Sequence, residues 1–206
     1  MSTKKCEIIY VRHGSTLYTE QKRFYVSDDY PPLNEKGKEE IKKLSEWLKN
    51  THINIDLIYS SPALSSIQST RIIAKTLKKE FAVLDDIYGR RFGIWGGLTF
   101  QQIQEKYPEL YQNYKKDPLN FQLEGLEKSN EVDKRVKKTI DFLLKKNPEK
   151  KILVITHAGV IKSAVGQALR IPDENHERIC APTGAATKID YFSNSANLIF
   201  SGYIPQ

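Results

Sequence analysis

The chain is poor in cysteine, with Cys6 and Cys180 alone among 206 residues. Two cysteines make no disulfide framework, and no Cys-x-x-Cys pair or Cys/His cluster has the spacing of a zinc site. No metal and no cofactor are therefore expected. Long apolar runs are missing as well. None approaches the roughly 20 residues of a membrane helix, so no membrane partner is expected. The stretch Met1 to Lys5 is polar and leads straight into a strand-like run, so no secretory signal is read there. A reducing, cytoplasmic location is the expectation. The glycine-rich phosphate loops are absent too: there is no GxxxxGK[ST], and no GxGxxG follows a strand. A GxSxG nucleophile elbow is also lacking. Gly93, Gly96 and Gly97 are spaced too irregularly for such a loop and read as tight packing near Trp95.

What is present describes a folded α/β chain. Hydrophobic residues make up 39% and charged residues 28%, a globular balance. The length suits one domain, residues 1–206, with at most a small cap. The net charge of +7 comes mostly from lysines such as Lys36, Lys38, Lys137 and Lys138, interleaved with Glu39, Glu40 and Asp141. That dispersal is a solvating surface rather than a nucleic-acid patch, and no nucleic-acid partner is expected.

Strands and helices alternate along the chain. Residues 6–11 form a short apolar run, and 35–50 carry Ile41, Leu44 and Leu48 at helical spacing. Residues 56–59 read as a second strand. Pro62 then suits the first turn of a helix capped by a serine and running to about Lys79. A helix is predicted over 129–146, a buried strand over 151–156 and a helix over 158–169, with two more strands in 185–203. The pattern predicts a three-layer α/β fold with a largely parallel central sheet flanked by helices. The stretch 93–128, rich in Tyr, Gln, Lys and Pro, reads as a small helical cap inserted into it.

Two of these strands run into histidine. The first gives Val11-Arg12-His13-Gly14, the late one Ile155-Thr156-His157-Ala158-Gly159. Ligands of open α/β sheets bind just beyond the carboxyl ends of strands. Two histidines and an arginine converging there suit a phosphoryl group. His52 and His176 lie in polar stretches and read as solvated.

The sequence resembles the histidine phosphatase superfamily, in its phosphoglycerate mutase-like branch with the RHG motif. Arg12-His13-Gly14 and Thr156-His157-Ala158-Gly159 carry the likeness, together with Pro32-Leu33-Asn34-Glu35-Lys36-Gly37, Ser60-Ser61-Pro62, Gly93-Ile94-Trp95-Gly96-Gly97 and Gly125-Leu126-Glu127. The resemblance implies a metal-independent phosphatase acting on a small phosphorylated metabolite through a phosphohistidine at His13. It assigns the phosphoryl oxygens to Arg12 and His157, and substrate contacts to Arg23, Thr19, Ser65 and Ala158. A backbone carbonyl is expected to fix the other nitrogen of His13, because only a neutral imidazole attacks.

Three positions depart from the family pattern: Thr19 stands where an asparagine is frequent, and two active-site positions are substituted. Ser65 stands where a second phosphate-binding arginine is usual, and Gln68 then falls on the family's glutamine, which supports the register. Gly89 stands where a glutamate usually acts as general acid. Asp85, Asp86 and Glu127 are replacement candidates for the acid, Arg90 and Arg91 for the clamp. Three readings stay open: a phosphatase of atypical or reduced activity, a degenerate member that binds a phosphorylated ligand or partner, and a phosphoglycerate mutase. A monomer and a homodimer are both compatible with the sequence.

Overall fold

The structure is a computed structural model and describes residues 4–26, 30–51, 53–118 and 120–206. The elements read from periodicity map closely onto it. His52 lies outside the described residues.

Among the described residues six strands form one sheet: β1 (Lys4–Arg12), β2 (Leu57–Ser60), β3 (Ala82–Val83), β4 (Lys151–Thr156), β5 (Ala186–Phe192) and β6 (Ala196–Tyr203). Their order is β3-β2-β4-β1-β5-β6. β3, β2, β4 and β1 are parallel neighbours. β5 runs antiparallel to β1 and β6 antiparallel to β5, so the sheet is mixed, with a parallel part and an antiparallel edge. β6 turns back on β5 because the link through Ser193-Asn194-Ser195 is too short for a crossover helix.

The side-chain period of two sorts the central strands onto two faces. Ile8, Tyr10, Ile152 and Val154 pack on one side with Val132, Val136 and Leu143 of α6 (Ser129–Lys146) and Val160, Ile161 and Ala164 of α7 (Ala158–Leu169). Ile9, Val11, Leu153 and Ile155 pack on the other with Ile41, Leu44 and Leu48 of α2 (Glu35–Asn50) and Ile73 of α3 (Leu64–Leu77). This makes three layers. A strand buried on both faces has no polar alternation, which is why β4 reads as a continuous apolar run.

Asn34 caps α2 by accepting from the Gly37 amide at 2.8 Å. The start of α3 differs from expectation. The helix begins at Leu64 with Ala63 in the cap position, and no side chain caps it. Pro62 precedes the helix, and the Ser61 hydroxyl is used elsewhere. Segment 93–128 contains α4 (Phe100–Lys106) and α5 (Pro108–Lys116) over a small core of Trp95, Ile103 and Phe121. A four-residue helix, α1 (Leu17–Glu20), had no periodic signal to show it.

Candidate active site

Parallel pairing of β1 with β4 sets Arg12 opposite Thr156, so the residues that follow, His13 and His157, leave the sheet side by side. The His13 amide donates to the Thr156 carbonyl at 3.0 Å, and the two imidazole centroids lie 5.0 Å apart. Gly14 holds this turn against the start of α2. A Cβ on Gly14 would lie 2.3 Å from the Gly37 carbonyl oxygen, and one on Gly37 would lie 2.1 Å from that of Ser15. The glycines of two separate motifs are therefore needed for each other, since the backbones touch where any side chain would stand.

His13 is fully buried. Its Nδ1 lies 2.8 Å from the Gly14 carbonyl, which can only accept, so Nδ1 carries the proton and Nε2 the lone pair. Burial, and then the Arg12 charge, push its pKa down to about 3, against an opposing pull from the Gly14 carbonyl. His13 is thus neutral near pH 7, as nucleophilic attack requires. His157 is pushed the same way by burial, then by His13, Arg12 and Arg135. Its Nε2 lies 2.9 Å from the Ser61 hydroxyl, while its buried Nδ1 has no hydrogen-bond partner among the described residues. Arg12 is anchored through a bond to the Ala181 carbonyl at 2.7 Å, and its buried Nε has no partner among the described residues. Its pKa is lowered, chiefly by burial. α7 opens at Ala158 immediately beyond His157, with no side chain capping its amides. Helix-end amides of this kind favour an anion.

The other residues named from sequence fall in different places. A Cβ at Gly89 would lie 3.2 Å from Nδ1 of His157, so position 89 does face that histidine. Ser65 is fully buried, and its hydroxyl has no hydrogen-bond partner among the described residues. Thr19 is committed to capping α1, where its hydroxyl accepts from the Thr16 amide at 2.8 Å. Arg23 reaches Gln21 at 2.6 Å and the Gly97 carbonyl at 2.7 Å, tying the first loop to segment 93–128. Of the replacement acids, Glu127 is buried in a two-point ion pair with Arg135, at 2.6 and 3.1 Å. Asp86 pairs with Lys138 on the surface at 3.4 Å. Arg90 donates to the Glu127 carbonyl at 2.8 Å and lies over Phe92. Arg91 bonds the Tyr88 hydroxyl and lies over that ring. His176 is a correction to the sequence reading. It is buried, bonded to the Ile171 carbonyl at 3.0 Å and 3.6 Å from Asp133, because Gly166 of α7 leaves space for its ring. Asp133, Asp173 and His176 form the one described group of three potential metal-ligating side chains.

Sequence reasoning missed Tyr25. Its hydroxyl lies 2.5 Å from Nε2 of His13, and its ring meets His13 and His157 edge-on at 5.7 and 5.4 Å. Tyr30 stands behind it, 6.1 Å from both Tyr25 and His157. The loop that carries them has no periodicity. The only hint was the volume left by the small residues at 65 and 89.

Comparison with known proteins shows the family and the fold. The model of the histidine phosphatase superfamily (branch 1) matches residues 8–201. The chain is 29% identical over 151 residues to phosphoserine phosphatase 1 of Hydrogenobacter thermophilus, covering 73% of this chain and 70% of that one. It is 30% identical over 162 residues to a bifunctional protein of Mycobacterium tuberculosis, covering 79% of this chain but only 44% of the relative. Among solved structures, a mycobacterial glucosyl-3-phosphoglycerate phosphatase in complex with VO3 superposes with a TM-score of 0.84 at 20% identity. That match covers 97% of this chain and 99% of the other.

Proposed function

The chain belongs to the histidine phosphatase superfamily, branch 1, and from that premise we propose that it is a phosphatase of small phosphorylated metabolites working through a phosphohistidine at His13. The observation that carries this reading is the neutral, fully buried His13, its Nδ1 proton fixed on the Gly14 carbonyl and its ring 5.0 Å from that of His157. In-line attack forms the bond from Nε2 to phosphorus as the bond from phosphorus to the leaving oxygen breaks. Arg12, Nδ1 of His157 and the first amides of α7 face the charge that spreads over the equatorial oxygens. Water then displaces His13 from phosphorus, releasing phosphate. None of these residues calls for a metal. Segment 93–128 acts as a cap within a single 1–206 domain and, with Arg23 bonded to its Gly97, sets which metabolite fits. The expected setting is cytoplasmic, without a nucleic-acid partner; no helix among the described residues is long and apolar enough to cross a membrane.

The test is a panel of phosphomonoesters and acyl phosphates with His13→Ala as control. Turnover that disappears in the variant supports the reading; turnover that survives it overturns it. A second reading, a member that binds phosphorylated ligands without turnover, is favoured by the glycine at 89 and by Glu127 being held by Arg135. Silence across the panel together with phosphate binding would establish it.

A further inference from the structure

The Tyr25 hydroxyl sits where an anion's partners converge. Nε2 of His13 is 2.5 Å away, and the Arg12 charge and the hydroxyls of Ser65 and Thr16 all act on the phenol. Burial nevertheless keeps it neutral, with its pKa pushed up to about 12. Because Nε2 carries a lone pair, the phenol is the donor in that bond.

The position also limits what this hydroxyl can do. In an in-line transfer, phosphorus lies between the attacking nitrogen and the leaving oxygen. A group resting on Nε2 is on the attacking side and does not reach the leaving oxygen across the phosphorus. It does reach the equatorial oxygens, once phosphorus takes its place on Nε2. The small, fully buried Ser65 is near enough to act on it, and the Ser65 hydroxyl has no partner at hydrogen-bond geometry among the described residues. The phenol and Ser65 thus meet in the corner that a longer side chain at position 65 would fill.

We infer that Tyr25, seated beside Ser65, is a phosphoryl-binding residue that supplies a neutral hydrogen-bond donor to an equatorial oxygen in place of a second guanidinium. This rests on the phosphatase reading for its chemistry, though the binding itself can be tested without turnover. The phenol has two partners in succession: it donates to Nε2 until a phosphoryl group arrives and to that group afterwards. A neutral donor contributes less than a charge-assisted one, so removing it weakens binding modestly.

The probe is orthovanadate, measured on the full chain by calorimetry and in crystals. In crystals of the unaltered protein, vanadate on Nε2 of His13 should have the Tyr25 hydroxyl within hydrogen-bond distance of an equatorial oxygen. Tyr25→Phe should weaken vanadate roughly 3- to 10-fold, the fold-change of one neutral hydrogen bond. Ser65→Arg should restore affinity in the Tyr25→Phe background but not alone, where the guanidinium and phenol compete for one corner. Vanadate that binds Tyr25→Phe equally well or more tightly makes the phenol a mere obstruction and overturns the inference. So does a crystal in which Tyr25 has swung away, or one in which vanadate is not on His13; these need no variant to fold. Vanadate bound as described, with a silent substrate panel, leaves Tyr25 as a ligand-binding residue and removes the phosphatase reading.

Discussion

Gly89 decides more of the expected chemistry than its size suggests. It faces Nδ1 of His157, so no carboxylate projects from that position toward the leaving group. General acid help is worth about 10²–10⁴-fold where it operates. Rates should therefore fall steeply as leaving-group pKa rises, with aryl and acyl phosphates turned over well and sugar phosphates poorly. A rate series across aryl and alkyl phosphates checks this, and a shallow slope would show that another acid reaches the leaving oxygen. At this scale the sequence was legible for residues whose chemistry is fixed by type and neighbours. His13, Arg12 and His157 meet as their strand ends implied. Glu127 was not legible as an ion-paired residue, because its partner Arg135 lies on another element and nothing local marks the pair. Tyr25 was illegible for the same reason, its role arising only when the loop folds over His13.

The loop bearing Gly89 is held from two sides. The Thr156 hydroxyl donates to the Ile87 carbonyl at 2.7 Å, and Arg135 of α6 donates to the Asp86 carbonyl at 2.8 Å while gripping Glu127. Both members of the pair are nearly buried, with side chains 10% and 7% exposed. Removing one partner leaves the other charge uncompensated, which typically costs about 3–5 kcal/mol. Arg135→Leu and Glu127→Leu should each lower the urea midpoint strongly, and the double variant should be more stable than the two losses added together. Simple additivity would mean the pair is not coupled. Elements with a buried stripe were readable to within a residue or two. α2, α6 and α7 show this, since burying one face imposes the 3.6-residue period. The parallel sheet was also readable, but its antiparallel edge was not inferred from the apolar strands. The start of α3 was misread because Pro62 and its serines resemble a cap, whereas Ser61 is turned to His157 instead.

Over the whole molecule, the two buried histidines make stability depend on pH. The pKa of His13 is about 3 in the fold against 6.5 ordinarily, and that of His157 moves in the same direction. Between these values the unfolded chain takes up a proton that the fold refuses. Stability is therefore full above about pH 6.5 and declines as pH falls, by roughly 1.4 kcal/mol per pH unit for each such group. His13 alone should remove about 2 kcal/mol between pH 6.5 and 5. Urea unfolding at those pH values checks it, with His13→Gln expected to flatten the decline and an unchanged slope counting against it. The placement of β1 has a consequence for synthesis on the ribosome. β1 is made before both strands that flank it, β4, from Lys151, and β5, from Ala186. While those residues are still untranslated, the nascent β1 has neither neighbour, and His13 lacks the carbonyl of Thr156 that receives its amide. The anion site is completed only once β4 and His157 have been made, and the apolar segment 6–11 lacks its neighbours in the meantime. Such distant pairing slows folding and invites chaperone contact.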